Sequence, residues 1–119
     1  MALKSRLAKR SFELNTSAAF HSRLMNSATK QLKELLERTH FSTPKATLIS
    51  NVTGETVDSS DERLQTLLLR QLTCTVNWLG CMDTVMKRKL PVIEIGPKPV
   101  LSTLMKRHGI EDVSFYSGE

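Results

Sequence analysis

The chain has 119 residues, of which 39% are hydrophobic, and its mean hydropathy is −0.23. This length suits one compact domain, and no apolar run approaches the roughly 20 residues of a membrane-spanning helix, so we expect no membrane contact. The net charge of +5 lies in residues 1–40, which hold eight Lys or Arg against three Glu. Because no aromatic residues interleave with these charges, they predict a solvated helix face rather than nucleic-acid binding, with an acidic or phosphorylated partner as the alternative.

The cysteines and histidines exclude two further classes of protein. Cys74 and Cys81 are too few for a disulfide framework, which predicts a reducing compartment. The three histidines show no ligand spacing, so we expect no metal site. We therefore expect a cytoplasmic protein, and an organelle is the alternative because residues 1–12 are basic, contain serine and lack acidic residues.

The first half of the chain predicts two helices and two strands. Residues 2–10 favour a helix, and residues 11–15 alternate like a short strand. A long amphipathic helix is predicted over 21–38, followed by a strand over 46–50 that ends in a turn. The apolar positions of the long helix recur at intervals of three and four: Leu24, Met25, Ala28, Leu32, Leu35 and Leu36.

The second half continues the alternation. Ser59 and Glu62 form a capping box for a helix that ends near Thr73, and helical spacing resumes over 76–86. A buried strand is predicted over 92–95, then a helix through 101–105 with Gly109 as its C-cap, and a final strand over 113–115. Alternating helices and strands predict an α/β protein built on mostly parallel strands.

Few residues in the sequence are candidates for catalysis or ligand binding. The five glycines never flank a serine as Gly-x-Ser-x-Gly, and they form neither a phosphate-binding loop nor a dinucleotide-binding motif. His21 lies at the predicted start of the long helix, where the positive end of the helix disfavours the imidazolium form and leaves the ring available as a base. Helix capping is the alternative role for this histidine.

Four segments carry a family resemblance. Ala18-Ala19-Phe20-His21-Ser22-Arg23-Leu24-Met25 resembles the active-site histidine segment of malonyl-CoA:acyl carrier protein transacylases. The other segments follow in the family's order: Ile49-Ser50-Asn51-Val52-Thr53-Gly54; Leu69-Arg70-Gln71-Leu72 with Val76-Asn77-Trp78; and Ile93-Glu94-Ile95-Gly96-Pro97 with Val100-Leu101 and Lys106-Arg107. The resemblance implies the C-terminal part of an acyltransferase, with residues 18–119 in its α/β-hydrolase-like large subdomain and residues 1–17 at the end of its ferredoxin-like small subdomain.

The resemblance also implies roles for three residues. His21 matches the family's catalytic base, and Gln71 matches the residue whose main-chain carbonyl orients that histidine. Phe20 precedes the histidine as in acyltransferases that select malonyl, so it is a candidate substrate-binding residue; packing against the following helix is the alternative. The family's serine elbow, its carboxylate-binding arginine and its oxyanion loop have no match here, and Lys98 replaces a glycine of the family.

The expected function is the transfer of malonyl from coenzyme A to the phosphopantetheine thiol of an acyl carrier protein, in fatty acid or polyketide synthesis. This chain would supply the histidine, and a separate half or the rest of a longer protein would supply the nucleophile. No cofactor is expected, because malonyl-CoA is a substrate and phosphopantetheine belongs to the carrier protein. The alternative is an inactive acyltransferase-like module that binds an acyl carrier protein or another acidic partner.

Overall fold

The structure is a computed structural model that describes residues 16–57 and 61–118. Within these ranges, no helix is both long and apolar enough to cross a membrane. The elements are a 3-10 helix (Arg23–Met25), the helices α1 (Asn26–Leu36), α2 (Asp61–Thr73), α3 (Trp78–Arg88) and α4 (Leu101–Arg107), and the strands β1 (Val92–Ile95) and β2 (Val113–Tyr116). The predicted helix over 2–10, the predicted strand over 11–15 and the Ser59 cap lie outside the described residues.

Helix α1 is shorter than the helix predicted over 21–38. His21 has a left-handed backbone with φ of 57°, which a right-handed helix does not accommodate. Ser22 then starts the 3-10 turn, because its Oγ accepts the N–H of Leu24 at 3.2 Å. Leu36 is the buried residue of α1 and faces the α1–α2 contact, whereas Leu24 and Leu35 of the predicted apolar stripe are 80% and 62% exposed.

The strand predicted over 46–50 is wrong. Only Ile49 pairs, in a single antiparallel bridge with Thr56. The N–H of Ser50 donates to Glu55 O, and the N–H of Val57 donates to Leu48 O, both at 2.9 Å. A strand forms where a neighbouring strand can extend the ladder, and the described residues supply only this short return of the chain.

The parallel pair β1–β2 confirms the α/β assignment and the parallel order. Val92 pairs with Val113 and Ile95 with Tyr116, and α4 makes the crossover between the two strands. Gly109 ends α4 as predicted: its φ is 95°, and the next N–H, that of Ile110, donates to Met105 O at 3.0 Å. The small core on this side of the chain contains Met82, Met105 and Ile110, with Trp78, Val85, Val92 and Val113 packed against it.

The prediction that residues 92–95 are buried is only half correct. Val92 and Glu94 are partly buried beside α4 and the core, whereas Ile93 and Ile95 are 62% and 76% exposed. Successive side chains of a strand point to opposite faces, and the helices of the described chain cover one face only.

Candidate functional site

His21 occupies a strained turn ahead of α1. Its φ of 57° lies in the left-handed region, which a residue with a side chain enters at a cost of about 1–2 kcal/mol. Ser22 fixes the turn, because its Oγ donates to Ala19 O at 2.7 Å and also accepts the N–H of Leu24. The serine beside His21 is therefore committed to the backbone, and the imidazole is exposed at the surface.

Gln71 lies in the last turn of α2, where main-chain carbonyls have no partner within the helix. The preceding carbonyl, that of Arg70, accepts the N–H of Cys74 at 2.8 Å. The carbonyl of Gln71 is 2.8 Å from Nδ1 of His21. The end of α2 thus provides an acceptor for a side chain fifty residues earlier in the sequence.

This contact fixes the protonation pattern of the imidazole ring. A carbonyl oxygen only accepts hydrogen bonds, so Nδ1 carries the proton and donates it to Gln71 O. The neutral ring then has its lone pair on Nε2, the nitrogen able to take a proton from another group. The structure thus brings the side chain of His21 and the main chain of Gln71 together in the arrangement typical of an oriented general base.

Two apolar clefts adjoin this pair. The smaller, of about 260 Å³, is lined by Phe20, His21 and Gln71 together with leucines of α1 and α2. The larger, of about 530 Å³, shares Leu68 and Gln71 with it and extends along the segment 41–51. Phe20 is 53% exposed at the rim of the smaller cleft, so its ring is accessible to a bound ligand.

Asn77 holds the turn that borders the larger cleft. Its Nδ2 donates to Thr53 O at 2.8 Å, its N–H donates to Asn51 O at 2.7 Å, and its Oδ1 caps α3 by accepting the N–H of Gly80 at 3.1 Å. One side chain therefore joins the start of α3 to the turn at 51–54. In the sequence, Asn77 stands out only as part of a family segment, and the helical spacing already begins at residue 76. Its role as the N-cap was therefore missed, although asparagine is a favoured residue at that position.

Glu94 fixes the loop between β1 and α4. Its carboxylate accepts the N–H groups of Val100, Leu101 and Ser102 at 2.8–2.9 Å. Desolvation by itself would raise the pKa of this carboxyl, but the three backbone hydrogen bonds and one from the Ser102 side chain outweigh it and hold the pKa at about 2. The start of α4, where an anionic ligand could otherwise bind, is therefore occupied by the chain's own carboxylate.

His108, Cys74 and Cys81 do not line either of the two clefts. Nε2 of His108 is 2.8 Å from Oδ1 of Asp83, at the contact between α4 and α3. Cys81 is buried, which raises the pKa of its thiol, and Cys74 is partly buried. Among residues 16–57 and 61–118, no group of three His, Cys, Asp or Glu side chains forms a metal-binding cluster.

Comparison with solved structures shows that the chain is similar to acyltransferases of α/β type. The malonyl transacylase of Mycobacterium tuberculosis superposes with a TM-score of 0.77 and 28% identity, over 86% of this chain and 34% of that one. The malonyl transacylase of Streptococcus pneumoniae superposes with a TM-score of 0.80 and 26% identity, over 89% of this chain and 35% of that one. A third structure, with TM-score 0.78 and 31% identity over 90% of this chain, is of a malonyl-transacylase in complex with its type II polyketide acyl-carrier protein. No protein-family model matches.

The sequences identify the family. The malonyl CoA-acyl carrier protein transacylase of Buchnera aphidicola is 31% identical over 106 residues, which are 88% of this chain and 34% of the relative. The polyketide biosynthesis transacylase PksC of Bacillus subtilis is 36% identical over 79% of this chain and 32% of its own length. The chain belongs to the malonyl-CoA:acyl carrier protein transacylase family of fatty acid and polyketide synthesis, and it spans about a third of the length of these relatives.

Proposed function

We propose that this chain supplies the histidine base of a malonyl-CoA:acyl carrier protein transacylase, and that another polypeptide region supplies the serine nucleophile. The observation that carries the proposal is the 2.8 Å contact between His21 Nδ1 and Gln71 O, which leaves the exposed Nε2 as the basic nitrogen. Acyl transfer needs a base oriented by a second group, and this pair meets that requirement. Malonyl-CoA, an acyl carrier protein and a cytoplasmic location belong to the same proposal.

The chemistry would proceed in two transfers. Nε2 of His21 takes the proton of the serine hydroxyl as the serine oxygen attacks the malonyl thioester, and the same proton then leaves with the coenzyme A thiolate. In the second transfer Nε2 takes the proton of the carrier protein's phosphopantetheine thiol, whose sulfur attacks the malonyl ester. The serine oxygen leaves and regains a proton from His21, so the enzyme returns to its starting state.

Gln71 and Phe20 have supporting roles in this proposal. Gln71 acts through its main chain, which orients the imidazole and fixes its tautomer, so its side chain is dispensable. Phe20 borders the cleft beside His21 and is a candidate for acyl selection. We expect Phe20→Ala to change the ratio of malonyl to methylmalonyl transfer, and an unchanged ratio would leave Phe20 with a packing role only.

An assay of malonyl transfer to an acyl carrier protein tests the proposal. The chain is assayed alone and mixed with the part of the malonyl CoA-acyl carrier protein transacylase of Bacillus subtilis that it does not match, where the family resemblance implies the serine. This relative is 33% identical over 101 residues. We expect transfer only in the mixture, and a loss of about a hundredfold or more with His21→Ala. His108→Ala is the matched control, since His108 bonds to Asp83 away from the site and its loss should leave transfer intact.

The second candidate is a module that binds an acidic partner without catalysis. It rests on the basic excess of residues 1–40, which hold eight Lys or Arg against three Glu. In that case the carrier protein binds in a salt-dependent manner, no mixture transfers malonyl, and His21→Ala changes nothing. That result would replace the first proposal.

A further inference from the structure

Two hydrogen bonds join α1 and the turn before it to α2, one at each end of α1. At the first end, Nδ1 of His21 donates to Gln71 O at 2.8 Å. At the other end, Nε2 of Gln65 donates to Leu36 O at 3.0 Å, and this contact is partly buried. Each bond ends on a main-chain carbonyl in the last turn of a helix, α2 for His21 and α1 for Gln65. The helix between the two bonds has 11 residues, a length of roughly 16 Å.

The bond from Gln65 is more than a cap for the end of α1. Leu36 O already accepts the N–H of Thr39 at 3.0 Å. The neighbouring carbonyl, that of Leu35, accepts the N–H of Arg38 at 3.2 Å and the hydroxyl of Thr39 at 2.9 Å. Residues of the same segment therefore satisfy these two carbonyls, which have no partner inside the helix itself. What Gln65 adds is a connection to a segment 29 residues away.

Apolar packing between α1 and α2 leaves their relative position loosely defined. Within the described residues, the smaller cleft of about 260 Å³ is lined by leucines of both helices: Leu32 and Leu36 of α1, and Leu68 and Leu72 of α2. Hydrophobic attraction has no preferred direction, so leucines around a cleft allow small sliding and tilting that a close-packed contact would prevent. Hydrogen bonds are directional, and the two bonds at the ends of α1 fix its offset along α2.

The position of α1 matters for His21, whose turn is strained and whose bond is short. A φ of 57° persists only where the surrounding structure holds it. A bond of 2.8 Å passes the usual limit for N–H···O bonds after a displacement of about 0.4 Å. Building on the proposed function, in which His21 is the base, we propose that Gln65 is a positioning residue: its bond to Leu36 O holds α1 where Nδ1 of His21 reaches the carbonyl of α2. Gln65 lines neither cleft, so it acts through α1 rather than on a bound substrate.

Three substitutions of Gln65 separate the hydrogen-bond donor from the rest of the side chain. Gln65→Met keeps the length of the side chain without a donor, and Gln65→Glu keeps its shape but, when ionised, only accepts hydrogen bonds. Gln65→Arg restores an N–H, because Nε of arginine lies as many bonds from Cα as Nε2 of glutamine. Thr66→Met, at the exposed neighbouring position, is the matched control for the new methionine. Gly109→Ala, at a φ of +95° after α4, is the control for a general loss of stability.

¹⁵N NMR of the full chain tests the proposal, at a pH where the ring of His21 is neutral. The measured quantity is the ratio of the ring form protonated on Nδ1 to the form protonated on Nε2. A hydrogen bond of ordinary net strength shifts such a ratio by about two- to tenfold, so we expect Gln65→Met and Gln65→Glu to lower it by that factor. Gln65→Arg should return the ratio towards that of the unaltered chain. Thr66→Met should leave the ratio unchanged, and Gly109→Ala should lower Tm without changing it.

Several results would overturn the role of Gln65. A ratio that both donor-free variants leave unchanged, an equal fall in Gly109→Ala, or a ratio that Gln65→Arg does not restore would each reject it. Unfolding of both donor-free variants, seen by circular dichroism, would assign to Gln65 a role in folding alone.

The same measurement separates this role from the proposed function. An unaltered chain without a preference for Nδ1 would reject both the role of Gln65 and the orientation from which the proposed function starts. A preference that survives without the Gln65 donor would reject the role of Gln65 alone. A preference that depends on Gln65, in a chain that transfers no malonyl in any mixture, would keep this role and reject the proposed function.

Discussion

Gly54 approaches the backbone of Gly80 so closely that it has no room for a side chain. A Cβ atom on Gly54 would lie 2.7 Å from Cα of Gly80 and 2.8 Å from its carbonyl carbon. This contact seats the turn at 51–54 against α3, where Thr84 Oγ1 also donates to Gly54 O. The turn that borders the larger cleft is thus fixed by backbone packing as well as by Asn77.

Gly54→Ala should therefore destabilise the chain strongly. The new methyl group would clash with backbone, and φ at this position is +79°, so both overpacking and backbone strain oppose the substitution. We expect a loss of about 2–4 kcal/mol in the free energy of unfolding. Urea denaturation followed by circular dichroism measures it.

Two other glycines separate the cost of backbone strain from the cost of the clash with Gly80. Gly109 has a φ of +95°, but a Cβ atom placed on it would have no atom within 4 Å. Gly109→Ala should therefore cost only the backbone strain, about 1 kcal/mol in the free energy of unfolding. Gly96→Ala has neither constraint and should be close to neutral. Equal losses at Gly54 and Gly109 would show that the contact with Gly80 contributes nothing.

Glu94→Gln should change how stability depends on pH. The folded pKa of Glu94, about 2, lies below its ordinary value of 4.5, so its stabilising effect is fully present above pH 4.5 and is lost as pH falls through about 2. The Tm of the unaltered chain should exceed that of the variant near neutral pH, and the difference should shrink towards pH 2. A difference in Tm that is constant across this range would contradict the charge-dependent cap.

Asn77→Ala should remove the helix cap and the bond to Thr53 together, at a cost of about 1–2 kcal/mol in the free energy of unfolding. Asn77→Asp is the matched variant, because its carboxylate still accepts the N–H of Gly80 but no longer donates to Thr53 O. We expect Asn77→Asp to fall between Asn77→Ala and the unaltered chain in urea denaturation. A loss with Asp as large as with Ala would mean that the bond to the turn outweighs the cap.

The ring nitrogens of His21 should be distinguishable by ¹⁵N NMR. Because Gln71 O accepts from Nδ1, the neutral ring should carry its proton on Nδ1 and show an unprotonated Nε2. Gln71→Ala should keep this pattern, since the acceptor is a main-chain atom. A neutral ring protonated on Nε2 would exclude the orientation from which the proposed function starts.

Much of the local structure follows from the sequence alone. Three local signals predict the right elements, because each depends on near neighbours in the chain. They are the apolar spacing over α2 and α3, Gly109 at the end of α4, and the run Val92-Ile93-Glu94-Ile95. The family was also readable, since four short segments occur in the right order. His21 was singled out by its place before a helix and by that resemblance.

The tertiary structure decided the geometry in which distant groups meet. The bond from His21 to Gln71 O spans fifty residues and uses a main-chain atom. The family resemblance implied this pairing, but neither periodicity nor residue type signals it. The segment 46–50 has strand propensity, but within residues 16–57 and 61–118 it pairs only through the single bridge from Ile49 to Thr56. The burial of β1 likewise depends on which helices cover it. Periodicity and capping act within a few residues of the chain, whereas pairing, coverage and ring orientation depend on partners that only the folded arrangement brings into contact.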